Sequence, residues 1–266
     1  CGFDEMLFAG ENEYTGEEYE TSDLKKMLDL CEKCNLKAIV YDKRIINLTV
    51  SAKEKIVGEV FETEKEFDFF LGYCIKDYKN HPAFAGVSIV DEPFISKKTV
   101  ISDFSDGMKR VCPYAFVHTC FNPLFCVAGG AMQETAFGKG DTYEAFGNYI
   151  DAMSVPSLGY YGYDDYPFKF WCGYPLEPEF IRTMQFVVGR IKGKGLPFHF
   201  TIQSYAANTV DDKGNERKLG EADLNWQANL ALSFGAKKLY YYTYWRFQTR
   251  SALVKPDVAI MDDDGT

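Results

Sequence analysis

Histidine is scarce in this chain. His81, His118 and His199 are the only three in 266 residues, and no two are spaced as His-x-His. A metal centre built from clustered imidazoles is therefore poorly supplied, and no metal ligand set is assigned. Cysteine is plentiful, with eight residues, but its one motif lacks a second half. Cys31-x-x-Cys34 has no further Cys-x-x-Cys or His-x-x-His to complete it, and eight thiols in so long a chain are not a disulfide scaffold. The pair falls in a helical apolar period with Leu24, Met27 and Leu28. It reads as buried helix thiols, with metal or redox use as the alternative. Free thiols fit a reducing or anaerobic setting. They leave open whether the protein is cytoplasmic, cell-surface or extracellular.

Basic surface is missing too. The net charge is −10, the pI is about 4.9, and no Lys/Arg stripe exists. Nucleic acid and an anionic membrane surface are therefore not expected partners. No stretch of ~18 apolar residues is present, so no transmembrane helix is expected. No leader peptide is visible at Cys1. No Gly-x-Gly-x-x-Gly follows the first apolar run, which argues against a dinucleotide-binding open sheet. Aromatic residues, by contrast, are abundant, at 16% with 22 Phe and 18 Tyr. Some must fill a core. The surplus suits a cleft that stacks on flat apolar faces, as sugars offer.

Short apolar runs alternate with helical periods. Strands are expected at 5–9, 37–41, 84–90, 115–120, 157–163, 198–203 and 238–244. Helices are expected at 23–35, 64–78, 98–110, 143–153, 178–192 and 220–234, with Gly235 as a C-cap candidate. The segments 121–142 and 205–219 read as long loops over a site. Strict alternation implies a parallel sheet. At this length the best fit is a single α/β domain, residues 1–266, folded as a (β/α)8 TIM barrel. A barrel needs eight strands and seven are visible. The expectation is that one strand and helix before Cys1, and a closing helix after Thr266, are missing from this chain.

The strongest local signal is the stretch from His81-Pro82 to Asp91-Glu92-Pro93. It reads as a buried strand ending on two carboxylates, stopped by a proline that cannot donate to the ladder. Barrel enzymes present acid/base groups in this way, at the C-terminal ends of parallel strands. If the first visible strand is the second of a full barrel, Glu92 ends the fourth.

At this point the chain resembles the (β/α)8 glycoside hydrolases of clan A and their relatives, in which a Glu ending strand 4 is the acid/base. The resemblance rests on His81-Pro82 through Asp91-Glu92-Pro93, on Tyr163-Asp164-Asp165-Tyr166-Pro167-Phe168, and on Leu232 through Gly235-Ala236 to Tyr242-Thr243-Tyr244-Trp245. It covers most of the chain, and its specificity lies in the order of short motifs. Asp91 stands where Asn is usual. The family's second Glu, the nucleophile, ends strand 7, but here that strand ends on Gln203. The resemblance implies a glycosidase of a carbohydrate-degrading bacterium, acting on an oligo- or polysaccharide without metal or organic cofactor.

Two carboxyl groups must flank the scissile bond, one of them protonated. Neighbours on a strand point to opposite faces, and on that parity Glu92 leans inward with Gly86, Ser88 and Val90, whose small size leaves room. Glu92 is the expected general acid and Asp91 its support. Asp164 is the candidate second carboxylate, or else caps a turn with Asp165. Gln203 binds a sugar hydroxyl or a loop, or replaces a Glu by engineering. Trp245, Tyr163 and Tyr244 are candidate stacking residues, with core packing as the alternative for Trp245. His118 and Asp42 lie at strand ends that could touch ligand, although Asp42 could simply pair with Lys43 or Arg44. His81 and His199 read as structural. Asp262-Asp263-Asp264-Gly265 lacks the further oxygen ligands of a calcium loop and reads as a solvated turn. Two rivals stay open: a carbohydrate-binding barrel without catalysis, and a different barrel enzyme such as a metal-dependent hydrolase or an aldolase.

Overall fold

The structure is a computed structural model that describes residues 5–9, 21–124, 130–168, 176–204 and 219–242. The chain divides into two compact units, one of residues 1–119 with 155–158, the other of 120–154 with 159–266.

The first unit is built on runs of small and β-branched residues, which pack well on a sheet covered by helices. Its strands β1 (Glu5–Ala9), β2 (Lys37–Tyr41), β3 (Phe84–Ser88) and β4 (Phe116–His118) form one sheet in chain order, all parallel. Ala38, Ile39 and Val40 of β2 are fully buried. The crossovers are α1 (Thr21–Lys33), then α2 (Lys43–Ser51) with α3 (Glu64–Ile75), then α4 (Lys98–Val111). The start of α3 is fixed by Thr63, whose hydroxyl accepts from the Glu66 N–H at 3.3 Å. The helices α3 and α4 meet through Phe67 and Phe104, rings 6.2 Å apart and fully buried. Gly107 permits that contact, since a Cβ there would lie 2.7 Å from the Phe67 ring. Burying one such ring contributes roughly 1.5–3 kcal/mol.

The second unit has β5 (Tyr161–Asp164), β6 (Phe198–Gln203) and β7 (Ala236–Tyr242) in one parallel sheet. Phe121 adds a single parallel bridge to Tyr163. The helices are α5 (Gly130–Phe137), α6 (Thr142–Met153), α7 (Leu176–Lys192) and α8 (Glu221–Ser233). Asp141 caps α6 by accepting from the Glu144 N–H at 3.0 Å. Aromatic rings dominate this core: Phe121 lies 4.6 Å from Tyr161, and Phe137 lies 5.0 Å from Tyr149. Much of the aromatic surplus is therefore spent on packing.

Both sheets are short and open among the described residues, and the architecture they show is parallel α/β. Among those residues no helix is long and apolar enough to cross a membrane. Two helices depart from expectation. The segment after β2 forms α2, capped by Asp42, in a stretch to which the sequence pattern assigns no element. Its β-branched Ile45, Ile46, Thr49 and Val50 are poor helix formers that packing overrides. Within the expected loop 121–142, residues 130–137 form α5. The strand β5 starts at Tyr161 rather than 157, because the chain turns at Gly159 with φ +84°. Cys31 is buried but Cys34 is exposed, since α1 ends at Lys33 and the following Asn35 takes φ +55°. Burial raises the Cys31 thiol above its usual pKa, the opposite of a reactive thiolate.

Candidate functional site

In a parallel sheet all strand C-termini reach one edge, so the residues just past each strand are gathered there by topology. In the first unit that edge carries Asp42, Asp91, Glu92 and His118. Beyond Ser88 the chain stays extended for two residues. The Ile89 N–H donates to the His118 carbonyl at 2.9 Å and the Val90 N–H to the Thr49 hydroxyl at 3.1 Å. The Thr119 hydroxyl donates to the Val90 carbonyl at 2.7 Å. Val90 is thus held on both sides, and the chain turns directly after it.

Asp91 and Glu92 are both exposed, while Pro93 is buried. Glu92 has φ +43°. Among the described residues only Asn35 shares a positive φ without being glycine. Asn tolerates that conformation after a helix, but Glu has no such allowance, and it costs roughly 1–2 kcal/mol. The in-and-out alternation that singles out Glu92 does not apply, because residues 91 and 92 lie in a bend and not in a strand. The expected room at Gly86 is also absent. A Cβ there would run into the Phe116 carbonyl of β4, so this glycine serves close strand approach. Ser88 Oγ lies 3.3 Å from Nδ1 of the half-buried His118.

Asp42 is buried and engaged by its own unit. Its carboxylate accepts from the Arg44 N–H, Nε and Nη2 at 2.9, 3.0 and 2.6 Å, and from the Tyr78 hydroxyl at 2.9 Å. Arg44 also donates to the Cys74 carbonyl at 2.6 Å. Burial first, then the Asp42 charge, pushes the Tyr78 hydroxyl well above its usual pKa. This network packs α2 and α3 together.

In the second unit the strand ends carry Asp164 and Asp165, Gln203 and Ser204, and Tyr242. Asp164 and Asp165 are only 5% and 7% exposed. The Tyr163 hydroxyl donates to Asp165 at 3.1 Å. Tyr163 itself is fully buried, with its ring against Phe146 and Phe200, so it fills core and offers no open stacking face. Burial, then the Asp165 and Asp164 charges, holds its hydroxyl protonated far beyond the usual range. Tyr166 and Tyr242 lie nearly parallel, ring centres 6.0 Å apart, and Tyr242 is 44% exposed. Gln203 is fully buried. Tyr244 and Trp245, and the acidic run at 262–264, lie outside the described residues. Sequence reading quoted Tyr166 and Tyr242 within its motifs but gave them no role, and it passed over Gln227, which has no sequence signal because its role depends on α8 packing at the end of β6.

His199 stacks on Tyr160 at 4.4 Å, and burial, with Lys238 nearby, lowers it to about 4. His81 precedes β3 and shares a 4.8 Å neighbourhood with Asp29 and Glu32. Its Nδ1 accepts from the Ala83 N–H at 3.1 Å, which puts the neutral ring's proton on Nε2, facing Asp29 at 3.0 Å. That nitrogen is a donor in a hydrogen bond, and the trio is a latch between α1 and the entry to β3. The adjoining cleft, about 150 Å³ and lined by Leu24, Tyr78 and Asn80, is smaller than a typical ligand pocket of ~300 Å³ or more.

A parallel α/β scaffold with carboxylates at its strand C-termini is an arrangement suited to acid/base chemistry on a bound ligand. No family model and no curated protein sequence matches the chain. Solved structures do. A proposed alpha-L-fucosidase from Bacteroides thetaiotaomicron VPI-5482 matches with a TM-score of 0.59 at 13% identity, over 95% of this chain and 80% of that one. The beta-glucuronidase of Ruminococcus gnavus matches at 0.57 and 14% identity, over 97% of this chain and 41% of its own. An uncultured Clostridium beta-glucuronidase matches at 0.58 and 10% identity, again spanning 41% of its length. The chain has a glycoside hydrolase-like fold and spans about two fifths of the glucuronidases.

Proposed function

We propose that this chain hydrolyses a glycosidic bond in an oligo- or polysaccharide, on a (β/α)8 framework, with Glu92 as general acid/base. The observation that carries this reading is the backbone of Glu92. An exposed carboxylate is held in left-handed geometry at the carboxyl end of a parallel strand, in a fold shared with glycosidases. Backbone strain of this kind concentrates at functional sites. Glu92 would protonate the glycosidic oxygen as its bond to the anomeric carbon breaks, while a second carboxylate either attacks that carbon, leaving Glu92 to take a proton from the incoming water, or activates that water directly. The chemistry also needs a second carboxylate, for which Asp164 remains the candidate. No metal or organic cofactor is required.

The test is turnover of 4-nitrophenyl glycosides, including the α-L-fucoside and β-D-glucuronide, and of oligosaccharides. Glu92→Gln should lower kcat by about 10²–10⁴-fold. Equal background rates in both proteins, with measurable sugar binding, would establish the second reading, a carbohydrate-binding protein without catalysis. That reading follows from the absence of a Glu at residue 203, where the resembling family carries its nucleophile.

A further inference from the structure

The end of β6 is gripped from α8. The Gln227 side chain accepts from the Gln203 N–H at 2.9 Å and donates back to the Gln203 carbonyl at 2.9 Å. It also donates to the Asp223 carbonyl one turn earlier in α8, at 3.3 Å. Both glutamines are fully buried. Because an amide has one donor end and one acceptor end, this two-way bond fixes the Gln227 orientation. Gln203 passes the constraint on. Its Oε1 accepts from the Phe168 N–H at 2.9 Å, which ties the loop after β5 to the end of β6.

That loop carries Asp165 directly after Asp164, and it is pinned elsewhere as well. Tyr163 donates to Asp165, Tyr166 lies against Tyr242, and the Phe168 ring sits 5.9 Å from Trp226 of α8. A neutral amide oxygen suits the position.

We infer that Gln203 is a positioning residue, braced by Gln227, which sets the acidic loop 164–168 through the Phe168 N–H and does not stand in for a lost nucleophile. The inference rests on the proposed function only in treating that loop's carboxylates as site groups. Such loops work when their backbone is fixed in advance of binding.

The experiment compares the full chain with Gln203→Met, Gln203→Glu and Gln227→Met. Amide exchange of the 164–168 segment is read by mass spectrometry, and turnover on the same glycoside panel in parallel. Gln203→Met keeps the length but removes the acceptor, and should speed exchange at Phe168 about tenfold, as loss of one buried hydrogen bond does. Gln227→Met should speed it in the same direction. Gln203→Glu keeps an acceptor oxygen, so exchange should stay slow, and turnover should not rise. For any glycoside turned over, Gln203→Met should lower kcat more than it raises KM, and Gln203→Glu should recover part of that loss. Unchanged exchange in Gln203→Met overturns the inference. So does a tenfold or greater gain of hydrolysis in Gln203→Glu, which would mark the residue as a replaced nucleophile. If no protein turns over any glycoside, the functional proposal fails, while exchange at Phe168 still decides the clamp.

Discussion

Replacing Glu92 by glycine should leave a more stable protein than replacing it by alanine, while both abolish any activity that depends on its carboxylate. The residue sits at φ +43°. A side chain with a Cβ is about 1–2 kcal/mol uncomfortable there, whereas glycine is at ease. Glycine loses more backbone freedom on folding, which costs about 0.5–1 kcal/mol relative to alanine. Measured against Glu92→Ala, which removes the same carboxylate but keeps the Cβ, Glu92→Gly should therefore be more stable by roughly 0.5–1 kcal/mol. For a chain of this size that is a rise of about 1–2 °C in Tm. The pair cancels whatever contacts the Glu92 carboxylate makes, because both variants lack them. Asp91 supplies a control of opposite sign, since it has no positive φ and glycine there should be the less stable variant. Urea midpoints at one pH, with unchanged slopes, are the assay. If Glu92→Ala proves at least as stable as Glu92→Gly, the backbone is not strained at this residue, and the observation behind the catalytic proposal is gone.

Asp42→Ala removes the α2 cap and leaves the Tyr78 hydroxyl and the Arg44 guanidinium without their shared acceptor, so the unfolding free energy read from urea titration should fall by roughly 2–3 kcal/mol. His199 titrates at about 4 in the fold against 6.5 when unperturbed. The unfolded chain therefore binds more protons in that interval, and the contribution present above pH 6.5 is lost as the pH falls toward 4, by an amount of order 3 kcal/mol. Comparing urea midpoints of wild type and His199→Phe from pH 4 to 7 should show a shallower decline in the variant.

Strands were legible where burial dominated composition. Lys37–Tyr41 and Phe198–Gln203 are placed as the apolar runs predict. The helix α2 was not legible, because β-branched Ile45, Ile46, Thr49 and Val50 are poor helix formers on local grounds, and burial of Ile45, Ile46 and Thr49 beside α3 and α4 outweighs that. Glu92 was picked out for its place at a strand end, but the parity used to choose it fails, since the ladder ends before it. Asp42 looked like a rim carboxylate. Its pairing with Arg44 was the local alternative and is what forms, whereas its bond from Tyr78 comes from 36 positions away, where no local pattern reaches.

By itself the sequence determined the alternating α/β plan and the placement of acidic residues just beyond strands, because both follow from local periodicity and from the rule that parallel strands share an edge. Tertiary structure alone decided what each acid and amide does there. Tyr78 adds a distant donor to the Asp42–Arg44 pair, burial encloses Asp164 and Asp165, and Gln227 with Phe168 turns Gln203 into a brace. Glu92 is left exposed at a strained turn, because Val90 is pinned from both sides and the chain has no extended geometry left to continue.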